Sequence, residues 1–180
     1  HCYYTQLTSL DVSRCTALKE LHCSNNQLTS LDVSGCTALE YLNCSYNQLT
    51  SLDVSKCPAL VYLDCCENQL TSLDVSGCTA LKELHCSNNQ LTSLDVSKCP
   101  ALEYLNCSHN QLTSLNISGC TALETLWCYD NQFSASAMNK IYNDLPQGRV
   151  DEDSYRSRLE CNKLGDYSIA KNKGWDVYLY

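Results

Sequence analysis

Phe, Met, Trp, Pro and Gly are scarce in this chain: one Phe, one Met, two Trp, three Pro and six Gly stand among 180 residues. A core built on Phe and Met is therefore excluded, and Leu, Val and Cys must fill it. No apolar run approaches the roughly 18 residues that a membrane span needs, and no basic-then-apolar leader opens at His1. Positive charge is short too, with 12 basic against 20 acidic residues and a formal charge of -8. Nucleic-acid phosphates and anionic lipids repel such a chain, so neither nucleic acid nor direct membrane insertion is expected. Cysteine and tyrosine, by contrast, are abundant, at 15 and 12 residues.

Leu7, Leu28, Leu49, Leu70, Leu91 and Leu112 each open a 21-residue segment of the form LTSLDVSxC(T/P)ALxxLxCxxNQ, the sixth ending at Gln132. Residues 1–6 match the tail of that unit, so the chain is expected to begin in mid-repeat. Within a unit, Leu31-Asp-Val33 and Leu42-Asn-Cys44 alternate with the strand period of two. One unit has no means of burying its apolar side alone, so units must stack into parallel sheets with coils about 4.8 Å apart. The expected fold is a right-handed repeat solenoid, mainly β, with two short strands per coil over 1–133 and a small α/β cap over 134–180.

Leu39-Glu-Tyr-Leu42-Asn-Cys44-Ser-Tyr-Asn47-Gln-Leu49 reads LxxLxCxxNxL, and Leu49-Thr-Ser-Leu52-Asp-Val54 repeats its first half. The unit resembles the nested 21-residue leucine-rich repeats of internalin-like bacterial surface proteins, and the tail more loosely resembles those of Bacteroidetes-type repeat proteins. The resemblance implies a non-enzymatic module, secreted or at the cell surface, that binds through a concave face.

After Phe133, Ser134 is placed to cap a helix over about 135–144, with Met138, Ile141, Tyr142 and Leu145 on one face and Pro146 ending it. A polar loop through Asp151 to Asp153, a strand from Tyr155 to Cys161, a short helix capped by Asp166 and ending near Gly174, and a strand over Trp175–Leu179 are expected to follow.

Stacking turns repeated residues into columns. Asn26, Asn47, Asn68, Asn89, Asn110 and Asn131 are suited to bonding backbone as the chain turns, with Thr5 in their place in the first coil. Thirteen of the 15 cysteines fall on two columns, headed by Cys2 and Cys15. Buried thiols acting as small apolar groups are the first reading, with a disulfide framework or a metal ladder as alternatives. Asp11, Asp32, Asp53, Asp74 and Asp95 form an outward column that must be solvated, bonded to nearby hydroxyls or bridged by cations.

Positions that vary between coils carry the functional reading. The first strand of each coil is expected to present Glu20-His22-Ser24, Tyr41-Asn43-Ser45, Tyr62-Asp64-Cys66, Glu83-His85-Ser87, Tyr104-Asn106-Ser108 and Thr125-Trp127-Tyr129 on the concave face. Tyr and Trp offer large contact area at low rotamer cost, the mark of an interface. The expected ligand-binding set is Glu20, His22, Tyr41, Tyr62, Asp64, Glu83, His85, Tyr104, Trp127 and Tyr129. It belongs to a monomer that takes a protein partner, with a glycan as second candidate and no cofactor or metal. Two rival readings are a purely structural array, since residues 15–34 and 78–97 are identical, and a catalytic or metal site at Asp64, Cys66 and His85. Same-face neighbours along a strand stand roughly 6.5–7 Å apart, which argues against the latter.

Overall fold

The computed structural model describes residues 1–149 and 157–180. Each coil makes one turn of a parallel β-solenoid. The main sheet takes a three-residue strand from every coil: β1 (Glu20–His22), β2 (Tyr41–Asn43), β3 (Tyr62–Asp64), β4 (Glu83–His85), β6 (Tyr104–Asn106) and β8 (Thr125–Trp127). Between them in the chain lie β5 (Ser93–Asp95) and β7 (Ser114–Asn116), which pair as a second, two-stranded sheet. Registers run at the repeat spacing, Leu21 opposite Leu42 and Leu42 opposite Leu63. Each central Leu points inward and is buried, while its neighbours face out.

The second strand of the repeat is weaker than its alternation suggests. Over the earlier coils it shrinks to single parallel bridges joining Asp11, Asp32, Asp53 and Asp74. Adjacent carboxylates repel there, whereas at β5–β7 Asn116 Nδ2 donates to Asp95 Oδ2 at 3.1 Å and replaces that repulsion with a bond. Of the three readings of the Asp column, bonding to nearby hydroxyl residues fits. Ser13 N–H and Oγ–H donate to Asp11 Oδ1 at 3.0 and 2.7 Å, and the amides of Ser34, Ser55, Ser76 and Ser97 repeat the turn.

Leu, Val and Cys do fill the interior. Eleven of the thirteen on-column cysteines are buried and all are free thiols. Those in the bend donate to a valine carbonyl of the preceding coil, as Cys78 Sγ does to Val54 O at 3.4 Å and Cys120 Sγ to Val96 O at 3.2 Å. The amide column closes each turn: Asn68 Nδ2 donates to the carbonyls of Cys44, Cys65 and Cys66, and its Oδ1 accepts the Leu49 N–H.

Beyond Phe133 the chain keeps winding. Helix α1 (Ala135–Asp144) starts on Ser134, whose Oγ accepts the Ala137 N–H at 3.1 Å, and buries Met138, Ile141 and Tyr142. Strand β9 (Arg158–Cys161) returns parallel to β8, α2 (Ser168–Asn172) crosses back, and β10 (Asp176–Leu179) pairs with β9. Among the described residues the main sheet thus has eight strands, in the order β1-β2-β3-β4-β6-β8-β9-β10. The Asp151–Asp153 loop and Tyr155 lie outside the described residues. Asp166 Oδ1 accepts the Ser168 amide and hydroxyl at the start of helix α2, which ends at Asn172, two residues before Gly174.

Candidate binding face

Two columns flank the buried leucines on the outer face of the main sheet. One reads Glu20, Tyr41, Tyr62, Glu83, Tyr104, Thr125; the other reads His22, Asn43, Asp64, His85, Asn106, Trp127. Each coil places one ring in one column or the other, never in both. Where the first column holds Glu or Thr, the second holds His or Trp; where the first holds Tyr, the second holds Asn or Asp. In-register strands set neighbouring coils at ring-stacking distance, so the rings join across columns. Centroids are 4.6 Å apart for His22–Tyr41, 4.3 Å for Tyr41–Tyr62 with planes 1° apart, 5.3 Å for Tyr62–His85 and 4.7 Å for His85–Tyr104. Trp127 closes the series edge-on to Tyr104 at 5.5 Å. The result is a continuous half-buried aromatic ribbon from β1 to β8.

Polar atoms punctuate it. Burial, assisted by the Asp64 charge, pushes the Tyr62 phenol well above its ordinary value, and burial does the same for Tyr104, so both hydroxyls stay neutral. Nε1 of Trp127 and Nε2 of His85 are buried without hydrogen-bond partners. Glu83 Oε2 stands 3.5 Å from that imidazole nitrogen, an electrostatic contact without hydrogen-bond alignment. An open cleft also lies on the opposite side, lined by Leu94, Asp95, Asn116 and Lys140 among others, but it gathers no comparable set of rings.

The family described as Leucine Rich repeats (2 copies) matches overlapping segments at residues 16–57, 37–77, 58–99, 79–118 and 100–141. The chain belongs to the leucine-rich repeat family. Among solved structures it is similar to an internalin, InlF, from Listeria monocytogenes, at 21% identity and TM-score 0.76, covering 94% of this chain and 51% of that one. Internalin InlC2 from the same organism matches at 24% identity and TM-score 0.74, covering 99% and 78%. The functional domain of InlJ from Listeria monocytogenes, which includes a cysteine ladder, matches at 28% identity and TM-score 0.49 over 94% of this chain and 46% of that one. The chain therefore spans about half the length of InlJ and InlF. No curated protein matches it.

On this leucine-rich repeat face the structure brings Glu20, His22, Tyr41, Tyr62, Asp64, Glu83, His85, Tyr104 and Trp127 to the three-residue strands as expected. Tyr129 sits apart from the ribbon, stacked on Tyr180 at 4.5 Å and edge-on to His109 at 5.2 Å. One expectation fails: Ser45, Ser87 and Ser108 are buried. The chain turns inward after the strand, and Ser45 and Ser108 hydroxyls donate to Asn43 and Asn106. Cys66, expected to be exposed in the same position, is half-buried. Ser87 Oγ lies 3.1 Å from its sulfur, and burial with the Asp64 charge pushes its thiol up to about 12. A thiol held neutral is a poor nucleophile. Asp64 Oδ1 meanwhile accepts the Cys66 N–H at 3.1 Å, so Asp64, Cys66 and His85 make no activated constellation.

Sequence reasoning missed the contribution of the C-terminal strands. Arg158 and Glu160 continue the two columns opposite Thr125 and Trp127. Glu160 is 4% exposed, held by Arg158 Nη2 at 2.5 Å and by the Tyr180 hydroxyl at 3.0 Å. The signal was present: Leu159-Glu-Cys161 keeps the LxC of the repeat strands.

Proposed function

We propose that the chain is a protein-binding module that docks its partner across the aromatic ribbon of the main sheet. The supporting observation is that six successive coils each give one ring to a single connected strip, although the residue and the column change from coil to coil. Packing alone does not demand that arrangement on an outer face. Residues 1–133 carry 13 acidic and five basic residues, whereas 134–180 carry seven of each, so the net charge resides on the repeats. A partner with a basic or neutral surface fits, docking by burial of the rings rather than by charge alone. A glycan fits less well. A sugar stacks on an open ring face, and here the inner ring faces cover one another.

The module works as a non-enzymatic monomer, secreted or at a cell surface, as its internalin-like repeats suggest. Buried thiols with raised pKa values resist oxidation and disulfide exchange, which suits free cysteines to that setting. The test is a set of immobilised variants exposed to candidate partners. Tyr62→Ala, Tyr104→Ala and Trp127→Ala should each weaken binding by more than ~1 kcal/mol, while charge reversal at Asp32 or Asp53 should do much less. A partner lost with the second-sheet substitutions and kept by all three aromatic ones would overturn the reading.

A further inference from the structure

His1, Glu20 and His22 converge at the first coil. One ligand atom from each lies within 4.8 Å of the other two, the one such group of three among the described residues. Glu20 and His22 are two apart on β1 and so share the outer face. His1 precedes His22 by one repeat and lies against it, ring centroids 4.3 Å apart at 42°. The Cys2 N–H donates to His22 O at 2.8 Å and fixes that neighbour, while Glu20 Oε2 stands 3.6 Å from His22 Nε2. Both His1 and Glu20 are exposed, and ligation at zinc distances requires their ligand atoms to close by about an ångström.

We propose that His1, Glu20 and His22 form a binding site for a divalent transition-metal ion, with Zn2+ the best fit and a fourth position open to the face. Two imidazole nitrogens and one carboxylate oxygen are a donor set that zinc takes at about 2.0–2.2 Å. Calcium and magnesium require more oxygens and accept fewer nitrogens. The ligands are side chains, so the α-amino group is not needed.

The chain carries its own control. Residues 15–34 and 78–97 are identical, so β4 repeats Glu83-Leu-His85 with a Glu–His separation of 3.5 Å against 3.6 Å on β1. One coil back from His85, the position that corresponds to His1 holds Asp64, whose Oδ1 is taken by the Cys66 amide. Asp64 could offer zinc its other oxygen, but it does not gather with Glu83 and His85 within 4.8 Å as His1 does with Glu20 and His22, so the second copy has the pair without a converged third donor. Metal capacity is set by that one neighbour.

The experiment titrates the full chain with Zn2+ by calorimetry, thiols kept reduced by a phosphine and the exposed Cys15 replaced (Cys15→Ser) throughout. Co2+ absorption serves as a second readout, since thiolate ligation gives an intense charge-transfer band that nitrogen and oxygen ligands do not. One ion should bind per chain, without the thiolate band. Saturable heat should vanish in His22→Asn and in Glu20→Gln and persist in His85→Asn. Asp64→His should raise the stoichiometry from one to two. Binding that survives His22→Asn, or a thiolate band on Co2+, would sink the proposal, as would a stoichiometry of one in a folded Asp64→His. No partner is needed, so failure here leaves the docking reading untouched, and the reverse holds.

Discussion

Asn68 shows how much of a turn one amide can hold. Its four hydrogen bonds reach two coils and satisfy the Leu49 N–H, and the residue is 8% exposed. Alanine there would leave that N–H and three carbonyls without their partner in a place water does not reach, at a cost of about 3 kcal/mol. Asn26 makes similar bonds, yet it is half-buried and water can replace part of them. Urea unfolding should therefore show Asn68→Ala at least twice as costly as Asn26→Ala, and equal costs would contradict the burial argument. The role of the amide column was legible in the sequence, because an Asn fixed at every period where the chain must bend has few other uses. The ribbon was not. The tyrosines were visible as one-sided, but that His22, His85 and Trp127 complete their stack depends on inter-strand register, which no single repeat displays. Tyr62 packs against both Tyr41 and His85, so Tyr62→Ala loses some stability as well as binding.

At the scale of the element, each coil turns through a residue in the left-handed region just before the Asn. Asn25, Tyr46, Glu67, Asn88, His109 and Asp130 have φ between 51° and 55°. Asn, Asp and His tolerate that conformation better than Glu or Tyr. Glu67→Asn, which copies the residue of two sister coils, should raise stability by about 0.5–1 kcal/mol, read as a shift in the urea midpoint with unchanged slope. A lower midpoint would mean that Glu67 has a compensating contact. These residues vary between coils, so the backbone conformation they share is hidden in the sequence. The strands themselves were legible from LxC, and α1 from the Ser134 cap and its apolar face. What the pattern overstated was the second strand. Alternation fits a ladder, but a column of like charges weakens one until Asn116 relieves it. It understated the tail, where helices replace the bends but β9 and β10 still add to the face.

The whole molecule is held by an interior in which thiols stand where most cores place larger aliphatic groups, and that makes its stability depend on alkaline pH. Burial raises the thiol pKa above its ordinary 9.0 at both columns: to about 12 at Cys23, Cys78 and Cys120, to about 11 at Cys57 and Cys99, and well above the ordinary value at Cys44, Cys65, Cys86, Cys107 and Cys128. The sign follows from which state keeps its protons. Below 9 both states hold them and the stabilisation is fully present; above 9 the unfolded chain ionises while the folded one does not, so stability falls as pH rises toward the folded values. Each such thiol loses about 1.4 kcal/mol per pH unit in that window. Ten acting together would remove about 14 kcal/mol within roughly one unit, comparable with a whole domain's stability of about 5–15 kcal/mol. The carboxyls of the Asp column shift the other way, lowered by the hydroxyl and amide of the following Ser, and lose their contribution only as pH falls below the usual carboxylate range. With thiols kept reduced, the urea midpoint should therefore be nearly flat from about pH 6 to 8 and collapse between about 9 and 10. Thiolate absorbance should rise in the same transition as the loss of β-sheet circular dichroism. Cys→Ala at two central strand positions, Cys65 and Cys86, should lower the midpoint at pH 7 through lost packing, yet make the alkaline fall shallower. A wild-type fall no steeper than that of the double variant would show that the buried thiols do not set the alkaline limit.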